Sequence, residues 1–349
     1  MKKAATRKKA VPKAKTKPAK AAKPAKTAKT AKPAKATKPT SAKSGPQRRI
    51  VEGWTSVASM AIAPDGRAFA GENGGYGVCA WSAGGELLWQ RSLAKIGKQS
   101  RYSYTALVTL AGDALLVLCY GAKKLFVLDA ATGATRAEHA VPADTRAIAL
   151  SPDGTKLVAR IFVETTVFSY PALQPLTKFE QYANQSGIAI SADGRLLAVN
   201  GHEIHVFDFV ELRHLKTWEP ENCDWGPSEL CFNAEHQLLT AEEKGTVRVW
   251  DPREGTLLAT YAGATVPGRK TAQAIAVHGD RIAIGRENGT VAVIDRSGAV
   301  QHTFTGFNVE VPDTGAEQLA AVAFARDGTQ LWVSAAPKKQ PTGLSVLDL

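Results

Sequence analysis

From Ile50 onward, short runs of alternating apolar and polar residues are broken by turn residues at a nearly constant interval. A period of two marks strands, and the clearest turns are Ala63-Pro64-Asp65-Gly66, Ser151-Pro152-Asp153-Gly154, Ser191-Ala192-Asp193-Gly194 and Ala325-Arg326-Asp327-Gly328. Asp-Gly between alternating runs signals a hairpin, because both residues tolerate positive φ. Weaker forms are Ala111-Gly112-Asp113, Asn233-Ala234-Glu235 and His278-Gly279-Asp280. Steps between the seven markers Asp65, Asp113, Asp153, Asp193, Glu235, Asp280 and Asp327 are 48, 40, 40, 42, 45 and 47 residues. One unit thus recurs: a strand, the Asp-Gly turn, a second strand, a short turn, and a third strand ending in Asp. Third strands are predicted at Lys124–Asp129, Ile204–Asp208, Gly245–Asp251, Gly289–Asp295 and Gly343–Asp348.

The chain ends at Leu349, just after a third strand, so its last unit wants an outer strand. Arg48-Arg-Ile-Val-Glu-Gly-Trp54 precedes the first unit and matches the fourth-strand runs His302-Thr-Phe-Thr-Gly-Phe307 and Leu258-Ala-Thr-Tyr-Ala-Gly263. It is expected to complete the seventh unit and cover an otherwise unpaired edge.

The first 46 residues follow another pattern. Val11 is their only large aliphatic residue, so the segment has nothing to bury and is expected to be disordered. Pro12, Pro18, Pro24, Pro33, Pro39 and Pro46 interrupt any long helix. Lys17, Lys20, Lys23, Lys26, Lys29, Lys32, Lys35 and Lys38 fall at every third residue. In a polyproline II chain that period aligns the ammonium groups on one edge, about 9 Å apart.

Charge separates the two parts further. Eighteen of the 44 Lys and Arg precede Ile50 and no acidic residue does, leaving 26 basic against 32 acidic residues for the remainder. The surplus of +12 therefore belongs to the tail alone. A cationic chain without aromatics suits a phosphate backbone but cannot read bases, so the eight lysines are the expected nucleic-acid contacts. The alternatives are a purely solubilising arm, or one that contacts acidic proteins or other polyanions. The organisation read from the sequence is a basic tail over 1–46 and an all-β domain over 47–349.

The run Gly245-Thr-Val-Arg-Val-Trp-Asp251 resembles the end of a WD40 repeat, and seven units of this length resemble a WD40-type or YVTN-like seven-bladed β-propeller of four-stranded antiparallel blades. The Gly-His dipeptide of that family is missing, and Lys244 and Asn288 stand where its turn Asp would be. Apolar packing is therefore expected to hold the blades. The tail's Lys-Pro-Ala and Lys-Thr-Ala words resemble lysine-rich histone-H1-like tails, which implies sequence-independent binding to DNA or RNA.

By the resemblance, the connections from second to third strands and from fourth to first form the partner face. The residues expected there are Trp54, Tyr76, Arg101, Tyr102, Tyr104, Tyr182, Trp225, Arg269, Lys270 and Phe307; the Tyr, Trp and Arg among them are the types that anchor interfaces. Cys79, Cys119, Cys223 and Cys231 have no paired spacing and read as free thiols of a reducing compartment. No apolar run has membrane-spanning length. His202-Glu-Ile-His205 alternates across a strand and reads as two ordinary strand histidines. The expected function is a non-enzymatic scaffold that binds a protein or peptide while its tail touches nucleic acid. It is expected to be cytoplasmic, nucleoid- or chromatin-associated and monomeric, with no catalytic residue, metal, cofactor or membrane contact. Two alternatives are a hydrolase- or lactonase-type propeller and an assembly subunit. The small, apolar first strands, such as Ala147-Ile-Ala-Leu and Ala274-Ile-Ala-Val, speak against a metal in the channel.

Overall fold

The computed structural model describes residues 48–51, 57–72, 75–93, 105–142, 144–180, 187–221, 223, 226–242, 245–262, 272–286, 289–307, 321–334 and 344–349. These residues form seven four-stranded antiparallel sheets and no helix. Six sheets run in simple chain order, and the seventh takes its outer strand from the N-terminal side. The first strand of each sheet contacts the first strand of the next, and that of the seventh contacts that of the first. The chain is thus a seven-bladed β-propeller, with the first strands innermost.

Blade numbering follows the inner strands: Val57–Ile62, Thr105–Ala111, Ala147–Leu150, Ile188–Ile190, Glu229–Phe232, Ala272–His278 and Ala321–Phe324. Burial explains the sequence pattern. The third strand of blade 1, Gly77–Trp81, is buried at every position because neighbouring blades cover both its faces. Its outer strand, Leu87–Ser92, alternates between exposed and half-buried, as do Thr135–Ala140 and Pro175–Glu180 in blades 2 and 3. Continuous apolar runs thus mark the middle of a blade and alternating runs its rim.

The recurring Asp residues do local work. In the inner hairpins the Gly is left-handed, with φ +86° at Gly66 and +69° at Gly154, Gly194 and Gly328. The Gly154 and Gly194 amides close their turns onto Ser151 and Ser191 carbonyls at 2.8 Å. Asp153 accepts Ser151 Oγ and the Thr155 amide, contacts that hold its carboxyl below the usual range. At the end of the third strands, Asp129, Asp208, Asp251 and Asp295 each accept two backbone amides of the following turn. That side-chain turn is the reason a strand ending in Asp recurs.

Closure takes the expected form. Arg48–Ile50 pairs with Leu344–Asp348, Arg48 opposite Leu347 and Ile50 opposite Ser345. Its two arginines reach in different directions. Arg48 donates to Ser345 Oγ at 3.2 Å and the Gly306 carbonyl at 3.4 Å, and lies 4.2 Å over the Phe307 ring of blade 6. Arg49 donates to the Gly84 carbonyl of blade 1 at 2.8 Å and sits 3.7 Å from Asp348. Val51 then enters the apolar seam of Trp81, Trp332, Leu344 and Val346, where the two indoles lie 6.2 Å apart.

Apolar packing does not hold the blades alone, which corrects the expectation from the missing Gly-His dipeptide. Side chains near the same ring level bond the backbone of the next blade. Ser334 donates to the Val57 carbonyl at 2.9 Å, closing blade 7 onto blade 1. Ser59 accepts the Val108 amide at 2.9 Å and donates to the Ala106 carbonyl. Arg160, 1% exposed, reaches from blade 3 to the Gly187 carbonyl at 2.8 Å and to both oxygens of Asn200. Asn200 accepts the Gly187 amide at 2.7 Å and donates to the Pro227 carbonyl of the connection into blade 5. Within blade 5, Trp250 donates to Thr240, Thr240 to Glu242, and Arg248 pairs with Glu242 at 2.6 Å. Buried polar chains of this kind fix a unique arrangement because every member is satisfied. None of the four cysteines is in a disulfide, and three of them are buried.

Candidate interaction face

Second strands end, and third strands begin, on one side of the ring. Among the described residues this side carries Tyr76, Tyr120, Arg146, Phe162, Val163, Glu242 and Arg286. Blade 3 supplies its most exposed apolar point. There the second strand Lys156–Arg160 and the third strand Glu164–Ser169 are joined by Ile161, Phe162 and Val163, with the Ile161 amide closing onto the Glu164 carbonyl at 2.9 Å. Phe162 is 36% and Val163 51% exposed. The Arg146 guanidinium carbon lies 3.3 Å from the centre of the Phe162 ring and 5.9 Å from that of Tyr120. A cation stacked on a half-exposed ring presents a flat amphipathic surface at little conformational cost.

The residues expected at this face fare differently. Tyr76 is 2% exposed and packs among Phe69, Val78, Val108 and Val117. Phe307 is fully buried between Phe304, Val322 and Leu347 beneath Arg48. Both side chains therefore cement blades and offer no surface to a partner. Trp54, Arg101, Tyr102, Tyr104, Tyr182, Trp225, Arg269 and Lys270 lie outside the described residues, as do the eight lysines of the tail. Phe162 and Val163 escaped the sequence reading although a signal was present: three large apolar residues fill a turn where polar ones belong.

The seam between blades 5 and 6 holds a second unexpected group. Glu229 opens the inner strand of blade 5, and its Oε2 accepts the Ile275 amide of blade 6 at 2.9 Å. Ser59 plays the same role toward Val108. Burial outweighs that hydrogen bond and pushes the Glu229 carboxyl up to about 7. It also raises the thiol of Cys231, with the Glu229 charge adding to the effect. The native state holds its proton at pH values where an unfolded Glu, near 4.5, has already lost it. Stability from this group is full below pH 4.5 and is lost as pH rises through 7. Glu229→Gln is therefore expected to match the wild type at pH 5 and exceed it by about 1–3 kcal/mol at pH 8, discounted for residual solvent contact. Urea midpoints of both proteins at the two pH values measure it, and an equal gap at both would contradict the assignment.

Among the described residues no three His, Cys, Asp or Glu side chains gather as metal ligands. His205 bonds Thr217 Oγ1 at 2.9 Å, and Glu203 lies 3.7 Å from its other ring nitrogen. Among the same residues, no helix is long and apolar enough to cross a membrane. The fold and this face define a seven-bladed β-propeller with an amphipathic loop side. No protein-family model matches the chain, and no curated protein matches it either.

Proposed function

We propose that the protein is a non-enzymatic scaffold built on a divergent WD40-type propeller. The ring docks a protein or peptide on the loop side that carries Phe162, Val163 and Arg146. The lysine tail meanwhile holds the assembly on nucleic acid, without reading sequence and at the nucleoid or chromatin. The observation that carries this reading is the segregation of charge: every surplus cation precedes Ile50, and the propeller is left with more acidic than basic residues. The half-exposed Phe162 with its stacked arginine supports the docking assignment, since aromatic residues and arginine are enriched at interfaces relative to the rest of the surface.

Affinity capture tests both halves. Full-length protein and a chain beginning at Pro46 are immobilised and challenged with nuclease-treated and untreated extract. The same protein partner is expected on both, and nucleic acid on the full chain only. Phe162→Ser is expected to lower partner recovery at least tenfold while leaving nucleic acid in place. Nucleic acid retained by the tail-less ring, or a partner indifferent to Phe162→Ser, would contradict the reading.

A further inference from the structure

Among the described residues two arginines are almost completely buried, and the fold treats them in opposite ways. Arg160 in blade 3 is 1% exposed and donates to Gly187 and Asn200. Arg286 closes the second strand of blade 6 and is also 1% exposed, yet neither Nη has a hydrogen-bond partner among the described residues. Its backbone is well held: the amide donates to the Thr290 carbonyl, and its carbonyl accepts the Gly289 amide, both at 2.9 Å. The same turn in blade 5 joins the Glu242 amide to the Thr246 carbonyl at 2.9 Å, so Arg286 and Glu242 occupy one position of the repeat. In blade 5 the charged side chain there is satisfied by Thr240 and Arg248. In blade 6 the charge is reversed and unmet. Burial already lowers the Arg286 pKa.

An unpaired buried cation is among the least favourable features a fold can keep, and a native structure that keeps one calls for an anion. Arg286 has both Nη atoms free, the fork that matches the two oxygens of a carboxylate. One carboxylate would also neutralise it charge for charge. A phosphate dianion would leave an uncompensated negative charge in the buried site. We propose that Arg286 is the receptor for a carboxylate of an acidic peptide segment in the docked partner, an inference that rests on the scaffold reading above. The residue ends its strand beside the Gly289 turn, on the loop side of the ring. It is an anchor independent of the Phe162 surface in blade 3.

The test uses the full chain and three simple probes: N-acetylglutamate α-amide, its glutamine counterpart and inorganic phosphate, at equal ionic strength. Thermal unfolding of the wild type is expected to shift up by about 2 °C when the glutamate probe exceeds its Kd tenfold. The glutamine probe is expected to give no shift. Arg286→Met keeps the volume, removes the charge and retains the tail. It is expected to melt no lower than the unliganded wild type and to lose the glutamate response. Arg286→Lys keeps the charge without the fork and is expected to bind the probe at least tenfold more weakly. A wild type indifferent to the glutamate probe, with Arg286→Met melting lower, would overturn the proposal by showing that the guanidinium is paired within the chain. Stabilisation by phosphate but not by the glutamate probe would overturn the carboxylate assignment. Partner capture that survives Arg286→Met but fails with Phe162→Ser would refute this site alone and leave the scaffold reading standing.

Discussion

A chain beginning at Glu52 is expected to melt about 6–12 °C below one beginning at Pro46, although the two differ by only six residues. The shorter chain lacks Arg48–Ile50 and Val51, and with them the outer strand of blade 7. Three residue pairs and the bond from the Val51 amide to the Leu344 carbonyl disappear. Each backbone bond contributes about 0.5–1.5 kcal/mol net, and burial of Val51, 5% exposed, contributes about 1.5–3 kcal/mol more. The two arginines compound the loss, because Arg48 ties the strand to blade 6 and Arg49 ties it to blade 1. The third strand Leu344–Asp348 would be left as an open edge carrying buried-type residues, a template for pairing between molecules. Light scattering during the melt is expected to rise earlier for the shorter chain. Equal midpoints for the two chains would mean that the ring does not depend on this strand.

The fold was legible because it repeats. The third strands Lys124–Asp129 and Ile204–Asp208 stand where the alternation and terminal Asp placed them. Gly245 and Gly289 fall just outside their strands, with φ +73° and +71°, because they belong to the preceding turns. The closing strand could be anticipated from a missing edge together with the match of Arg48–Trp54 to the fourth-strand runs at 258–263 and 302–307. The polar ties between blades were not legible, since Ser59, Arg160, Asn200, Glu229 and Ser334 lie near one level of the ring but have no common residue type. Glu229 was hidden further by its strand, Glu229-Leu-Cys-Phe232, which breaks the small apolar pattern of the other inner strands. Tyr76 and Phe307 were read as exposed for a related reason, although both are buried. An aromatic in a connection reads as exposed, and what covers Phe307 is Arg48, more than 250 positions away in sequence.

The tail accounts for the other large effect. Its eight lysines in three-residue register precede a ring with more acidic than basic groups, so removing residues 1–45 is expected to abolish binding to duplex DNA rather than weaken it. Counterion release sets the scale. A tail that neutralises about ten phosphates gives a slope of log K against log salt near −9, or about a 10⁵-fold loss between 50 and 200 mM salt. Random-sequence duplexes of equal length are expected to bind equally well, because lysines on phosphates carry no base information. The decisive measurement is a gel-shift salt series on purified full-length protein and on the chain beginning at Pro46. Two separable modules predict a slope near −9 for the first and no measurable binding for the second; equal affinities and equal slopes would place the phosphate contacts on the ring and contradict the account.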